Sequence, residues 1–263
     1  MPMHLMMEEM EFRQILVIHS NKLNFLEEFL RENYSFLTRF VEIIAAITGI
    51  LLLKKYKNSN TKYFIYFLIY VTILELIGSY PDYLAKYTFL SDIKVALEGT
   101  LFESNYWWFS IFWKIGSALF YSFYFIKILK TKLYIKMIKL SSILFFISSI
   151  IYIAINWSDF FISTLPFISI FGATIIILCV IFYFLEMLQS DTILTFYKSI
   201  NFYISTTILI WWLVITPIVF YDVYFSTADW NFVILKWQIY LLMNIFMYSS
   251  FTIALIWCKP QNV

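Results

Sequence analysis

Seven apolar blocks, each about as long as a helix needs to cross the ~30 Å of lipid hydrocarbon, dominate this chain and leave it few ways to fold. They run Phe36–Leu53, Tyr63–Tyr80, Trp107–Leu129, Leu140–Asn156, Pro166–Leu188, Ile200–Phe220 and Phe232–Trp257. Short lysine-bearing stretches separate several of them. With 62% hydrophobic and 14% charged residues, the composition departs from the roughly 45–50% apolar and 25% charged of soluble domains. The excess lies in the blocks, so it does not describe one large water-soluble core. The expected fold is an all-α polytopic transmembrane helix bundle with seven spans over residues 36–260, preceded by a separate segment over residues 1–35.

Orientation follows from the basic residues of the short loops. With the N-terminus outside, the inner connections "KKYKNSNTK", "KTKLYIKMIK" and "QSDTILTFYKS" and the tail "CKPQNV" hold ten lysines, whereas the outer loops hold two. The balance survives assigning the three basic residues of the N-terminal segment to the outer side. An N-out/C-in topology is expected. The acidic start "MPMHLMMEEMEFRQ" has no basic n-region and precedes no A-x-A site, so it does not read as a cleavable signal peptide. In the same segment Ile15, Leu16, Ile18, Leu23, Phe25, Leu26, Phe29 and Leu30 are spaced as on one or two amphipathic helices. Such helices can lie on the outer leaflet or dock a partner. Between Pro81 and Asn105, Leu84, Tyr87, Leu90, Ile93 and Leu97 recur at three- and four-residue steps, which predicts a surface helix over the outer end.

Charges inside spans mark functional candidates. Glu42, Glu75 and Lys114 fall about 9, 8 and 10 Å below the outer boundary at 1.5 Å per residue. Three consecutive helices thus put ions at one level. Arg39 precedes Glu42 by one helical turn and can pair with it; Glu75 can pair with Lys114. Gln238 reaches the same level in the last span and Asn244 lies deeper. Pro217, after Thr216, removes a backbone donor in the sixth span and is a candidate hinge. Together these residues predict an outward-facing polar pocket, read either as a ligand or ion site or as ion pairs that fix helix packing. Ser141, Ser142, Ser148 and Ser149 form a small-residue stripe on the fourth span, suited to close helix contact.

Other chemistry lacks its residues. The five glycines are scattered, and neither a phosphate-cradling GxxxxGK[ST] loop nor HExxH, CxxC or GxSxG is present. Two cysteines and two histidines, all isolated, suggest no disulfide framework and no metal cage. The seventh span has no deep lysine for a retinal Schiff base. The expected protein is non-enzymatic, binds no cofactor or nucleic acid, and contacts the lipid bilayer. Three readings remain: a ligand-responsive or receptor-like protein, an ion or small-solute channel or transporter formed by an oligomer, and a subunit of a membrane complex recruiting partners through its N-terminal helices. The absence of an internal repeat weakens the usual secondary-transporter plan.

The segments "EIIAAITG", "KKYKN" and "ELIGSY" between Val41 and Tyr83, the "NYWWF" opening the third span and the closing "IALIWCKP" resemble an uncharacterised seven-span membrane-protein family of Bacteroidota. That resemblance covers most of residues 36–260. It implies seven spans and residence in a bacterial inner membrane, and it places Glu42 and Glu75 within its recognisable segments. It assigns no activity.

Overall fold

The computed structural model describes residues 28–29, 33–221 and 230–260. Most of the N-terminal amphipathic segment lies outside them, as do Asp222 and Asp229, expected at the outer surface. The described residues form helices and no strand. Seven of these helices are long and apolar enough to cross a membrane: Asn33–Leu52, Thr61–Lys86, Tyr106–Ile128, Lys132–Ile155, Pro166–Leu188, Ile200–Phe220 and Ile234–Trp257. The chain is an all-α, multi-pass membrane protein.

Boundaries depart from the sequence reading where a helix outlasts the hydrocarbon. The fourth span begins at Lys132, more than two helical turns before the expected Leu140, so most of the lysine-rich "KTKLYIKMIK" is helix and not loop. Lysine is a good helix former, and its long stem lets the ammonium reach water from a helix end. The second span runs Thr61–Gly78 and continues, after Ser79, as Tyr80–Lys86. Short helices Thr88–Leu90 and Ser91–Leu97 follow, matching the surface helix expected there. They cap nothing with buried side chains: Phe89, Ile93 and Val95 are exposed.

Packing against lipid cannot rely on excluding water, so contact depends on shape and close approach. Aromatic rings supply the shape. Phe67 stacks on Phe120 at 4.0 Å, tying the second span to the third. Phe64 meets Phe251 edge-on at 4.8 Å, tying the second to the seventh. Small residues supply the approach: a methyl group at Gly172 of the fifth span would lie 3.6 Å from Ala118 of the third. The fourth span packs on the third and fifth, burying Ile138, Phe145 and Ser149. Leu140, Ile143, Leu144, Ile147 and Ile151 stay exposed on its other side, the apolar stripe of a helix that borders lipid. Of the serine stripe, Ser149 is buried, while Ser142 and Ser148 turn their hydroxyls onto their own helix.

Two segments singled out in the sequence meet at one end of the bundle. Gly78 of "ELIGSY" lies under Trp108 of "NYWWF". The Asn105 amide donates to the Gly78 carbonyl at 2.7 Å, and the Trp108 indole donates to the Leu74 carbonyl at 3.1 Å. Directly after Trp108 the third span opens into a π-helix, Phe109–Ile115, which carries Lys114. Its wider turn misaligns backbone groups. Tyr70 on the second span compensates by donating its hydroxyl to the Phe112 carbonyl at 2.7 Å.

At the opposite end, the hairpin between the first two spans holds the end of the last. Lys55 Nζ donates to the carbonyls of Leu255 and Ile256 at 3.0 and 3.1 Å. Tyr56 donates to the carbonyls of Leu255 and Cys258 at 3.0 and 2.9 Å. A helix C-terminus leaves carbonyls without donors and carries partial negative charge, and a lysine with a hydroxyl answers both. Burial pushes the Tyr56 phenol and the Cys258 thiol above their ordinary values, Lys55 partly opposing the shift at Cys258.

Candidate functional site

Glu42 sits on the inward face of the first span with 4% of its surface exposed. The apolar residues around it in sequence explain the placement: Ala45 and Ala46 follow on the same buried face and let neighbouring helices close in. Tyr248 of the seventh span, equally buried, brings its hydroxyl close enough to act on the Glu42 carboxyl. Glu75 of the second span is half-buried and within electrostatic reach of Glu42. Tyr34, one helical face earlier on the first span, feels both carboxyls and lies against Trp237, with ring centroids 6.4 Å apart. Spans distant in the chain thus converge on one acidic position.

Arg39 stands above this position. Its guanidinium acts on both Glu42 and Glu75. Its described ion pair, though, runs to Asp82 at 3.5 Å, on the helical extension of the second span, and the guanidinium also lies over the Tyr83 ring at 5.4 Å. Arg39 thus acts on Glu42 from one turn earlier on the same helix and ion-pairs across to Asp82. Arg39 spans the gap between two helices because the Tyr80–Lys86 extension carries a carboxylate up to it.

Glu75 and Arg39 act on Glu42, and Arg39 and Asp82 act on Glu75. Lys114 is half-buried on the π-helix; its own carbonyl accepts from Ser117 at 3.4 Å and faces Gly172 of the fifth span. Gln238 is half-buried on the seventh span. Asn244 accepts the Trp211 indole N–H at 3.1 Å and so ties the sixth span to the seventh. The sixth helix runs on through Pro217 to Tyr221, and Thr216 donates to the Trp212 carbonyl at 2.6 Å.

The structure brings together Arg39, Glu42 and Glu75 and adds Asp82, Tyr34 and Tyr248. Asp82 carried a weak signal, being an acid just beyond a span whose partner already held a buried charge. Tyr248 carried none, since a tyrosine among apolar residues reads as packing. Chemically, the arrangement offers two carboxyls, a phenol and aromatic faces beneath an arginine gate, a set suited to an organic cation.

No protein-family model, curated protein or solved structure matches the chain.

Proposed function

We propose that this multi-pass membrane protein is a ligand-responsive, receptor-like protein of a bacterial inner membrane, oriented N-out/C-in. Its site is the Glu42–Glu75 pair with Tyr248 and Tyr34, gated by Arg39 and Asp82, and its ligand carries an ammonium group. One observation carries the reading: a nearly buried carboxyl, Glu42, shares its position with a second one, Glu75. Two like charges in a low-dielectric bundle repel, and a ligand ammonium between them gains from both. Aromatic rings alongside add cation–π attraction. The contacts join the first, second and seventh spans, so occupancy changes how these helices sit together. That coupling is what a response requires.

The test uses purified protein in nanodiscs and thermal unfolding against tetramethylammonium, choline and a primary amine, with acetate as the anionic control. The cations are expected to raise the unfolding temperature of the native protein and to leave Glu42→Gln and Glu75→Gln unshifted, as mass action requires when the site is lost. Equal shifts in native protein and variants, or none with any cation, would refute the assignment.

A further inference from the structure

At the end of the bundle opposite the acidic site lies a crevice of about 570 Å³, within the 300–1,000 Å³ typical of ligand pockets. It is built by the connections between the first and second, third and fourth, and fifth and sixth spans, which all fall on one side of the membrane whatever the orientation. Ser59, Asn60, Lys127, Lys130 and Thr131 bring hydroxyl, amide and ammonium groups to its wall. Leu129, Met187 and Phe196 bring apolar surface.

Geometry settles the sign of the ligand. The one carboxylate in the lining, Glu186, is turned to the wall: its oxygens accept the backbone N–H groups of Lys130 at 2.9 and 3.1 Å and of Thr131 at 2.7 Å. Those bonds use its charge to shape the turn before the fourth span. The Asn60 amide donates to the Lys127 carbonyl at 2.8 Å, fixing the turn from its other side. Lys127, in the last turn of the third span, and Lys130, in the connection after it, therefore leave from braced backbone, and Lys127 lies over the Phe123 ring at 5.7 Å. Braced cations beside hydroxyl donors, at the level of the headgroups, are matched to a phosphate.

We infer that this crevice binds a phosphate group, using Lys127 and Lys130 as counter-charges and Thr131 as a hydroxyl donor. The phosphate can belong to an anionic phospholipid headgroup or to a soluble phosphate compound, and the apolar wall suits the former. The full-length protein is reconstituted in phosphatidylcholine nanodiscs containing phosphatidylglycerol, and retained phosphatidylglycerol is counted by native mass spectrometry. A parallel arm follows thermal unfolding with inorganic pyrophosphate. Lys127→Gln and Lys130→Gln are each expected to lower binding roughly fivefold, the change that about 1 kcal/mol per surface lysine corresponds to. Lys136→Gln, an exposed lysine on the fourth helix outside the crevice, serves as control, and Lys127→Arg should retain binding. Loss in the lipid arm assigns the phosphate to the headgroup; loss in the pyrophosphate arm assigns it to a soluble compound. If both crevice variants match the native protein in both arms, or if Lys136→Gln falls as far as they do, the site does not exist.

Discussion

The contact between Gly78 and Trp108 gives the sharpest quantitative test of the packing. A methyl group at Gly78 would lie 2.7 Å from Trp108 Cδ1, 2.8 Å from its Nε1 and 2.9 Å from Phe109 Cζ. All three are far inside van der Waals contact, and the indole is not free to swing away, since its N–H is committed to the Leu74 carbonyl at 3.1 Å. Gly78→Ala must move the ring. Overpacking of this kind costs about 1–3 kcal/mol, and losing the indole hydrogen bond costs about 1 kcal/mol more. Alanine's helix preference returns at most about 1 kcal/mol, less at a helix end. The expected net loss is about 2–3 kcal/mol, measured by sodium dodecyl sulfate unfolding in mixed micelles and followed by helical circular dichroism. Removing the indole first should lift most of the penalty and leave only the Phe109 contact, so Gly78→Ala in a Trp108→Ala background should cost about 1 kcal/mol or less. If Gly78→Ala costs the same in both backgrounds, or costs nothing in the native protein, the close approach described here is not what holds the second and third spans together.

Other expectations address other parts of the molecule. Tyr248→Phe removes the hydroxyl that acts on Glu42 and should destabilise the same unfolding transition by about 1–3 kcal/mol; an unchanged midpoint would show that the hydroxyl does not hold the carboxyl. Glu186→Ala should speed amide hydrogen exchange at Lys130 and Thr131 by about tenfold or more, matching the roughly 1–2 kcal/mol of a lost cap, and unaltered exchange there would refute the turn geometry. Cys258, whose thiol is raised by burial, should alkylate slowly with iodoacetamide at pH 7 and faster as pH rises, because only the thiolate reacts. Alkylation as fast as that of a free thiol at neutral pH would contradict its burial. A C-terminal alkaline phosphatase fusion should be inactive and a C-terminal fluorescent protein bright; the reverse would overturn the proposed topology.

The seven spans were legible because each is a long apolar run, several of them bounded by lysines, and the bilayer imposes that pattern directly. The start of the fourth helix was not, since hydropathy marks the hydrocarbon edge while Lys132, Lys136 and Lys139 continue the helix beyond it. The acidic layer was legible in part. Depth along a helix follows from counting, which brought Glu42 and Glu75 to one level. The direction in which each side chain points, and which helices are neighbours, does not follow from counting. Hence Asp82 and Tyr248 went unforeseen, and with Asp82 the ion pair that Arg39 makes across to the second span. The π-helix around Lys114 leaves no mark in composition, because it depends on a hydroxyl, that of Tyr70, supplied from another span.

The grip of Lys55 and Tyr56 on the end of the last helix joins two parts of the chain about 200 residues apart. During synthesis the first hairpin is made early and waits for a partner that emerges last. Loop-closure entropy must be met before that long-range contact forms. Assembly of this bundle is then a closing step: until the final helix is released and its carbonyls reach the waiting ammonium and phenol, the preceding six spans have an open seam. A chain cut short before Leu255 would leave that seam facing lipid, a state that quality-control proteases can distinguish from the finished protein.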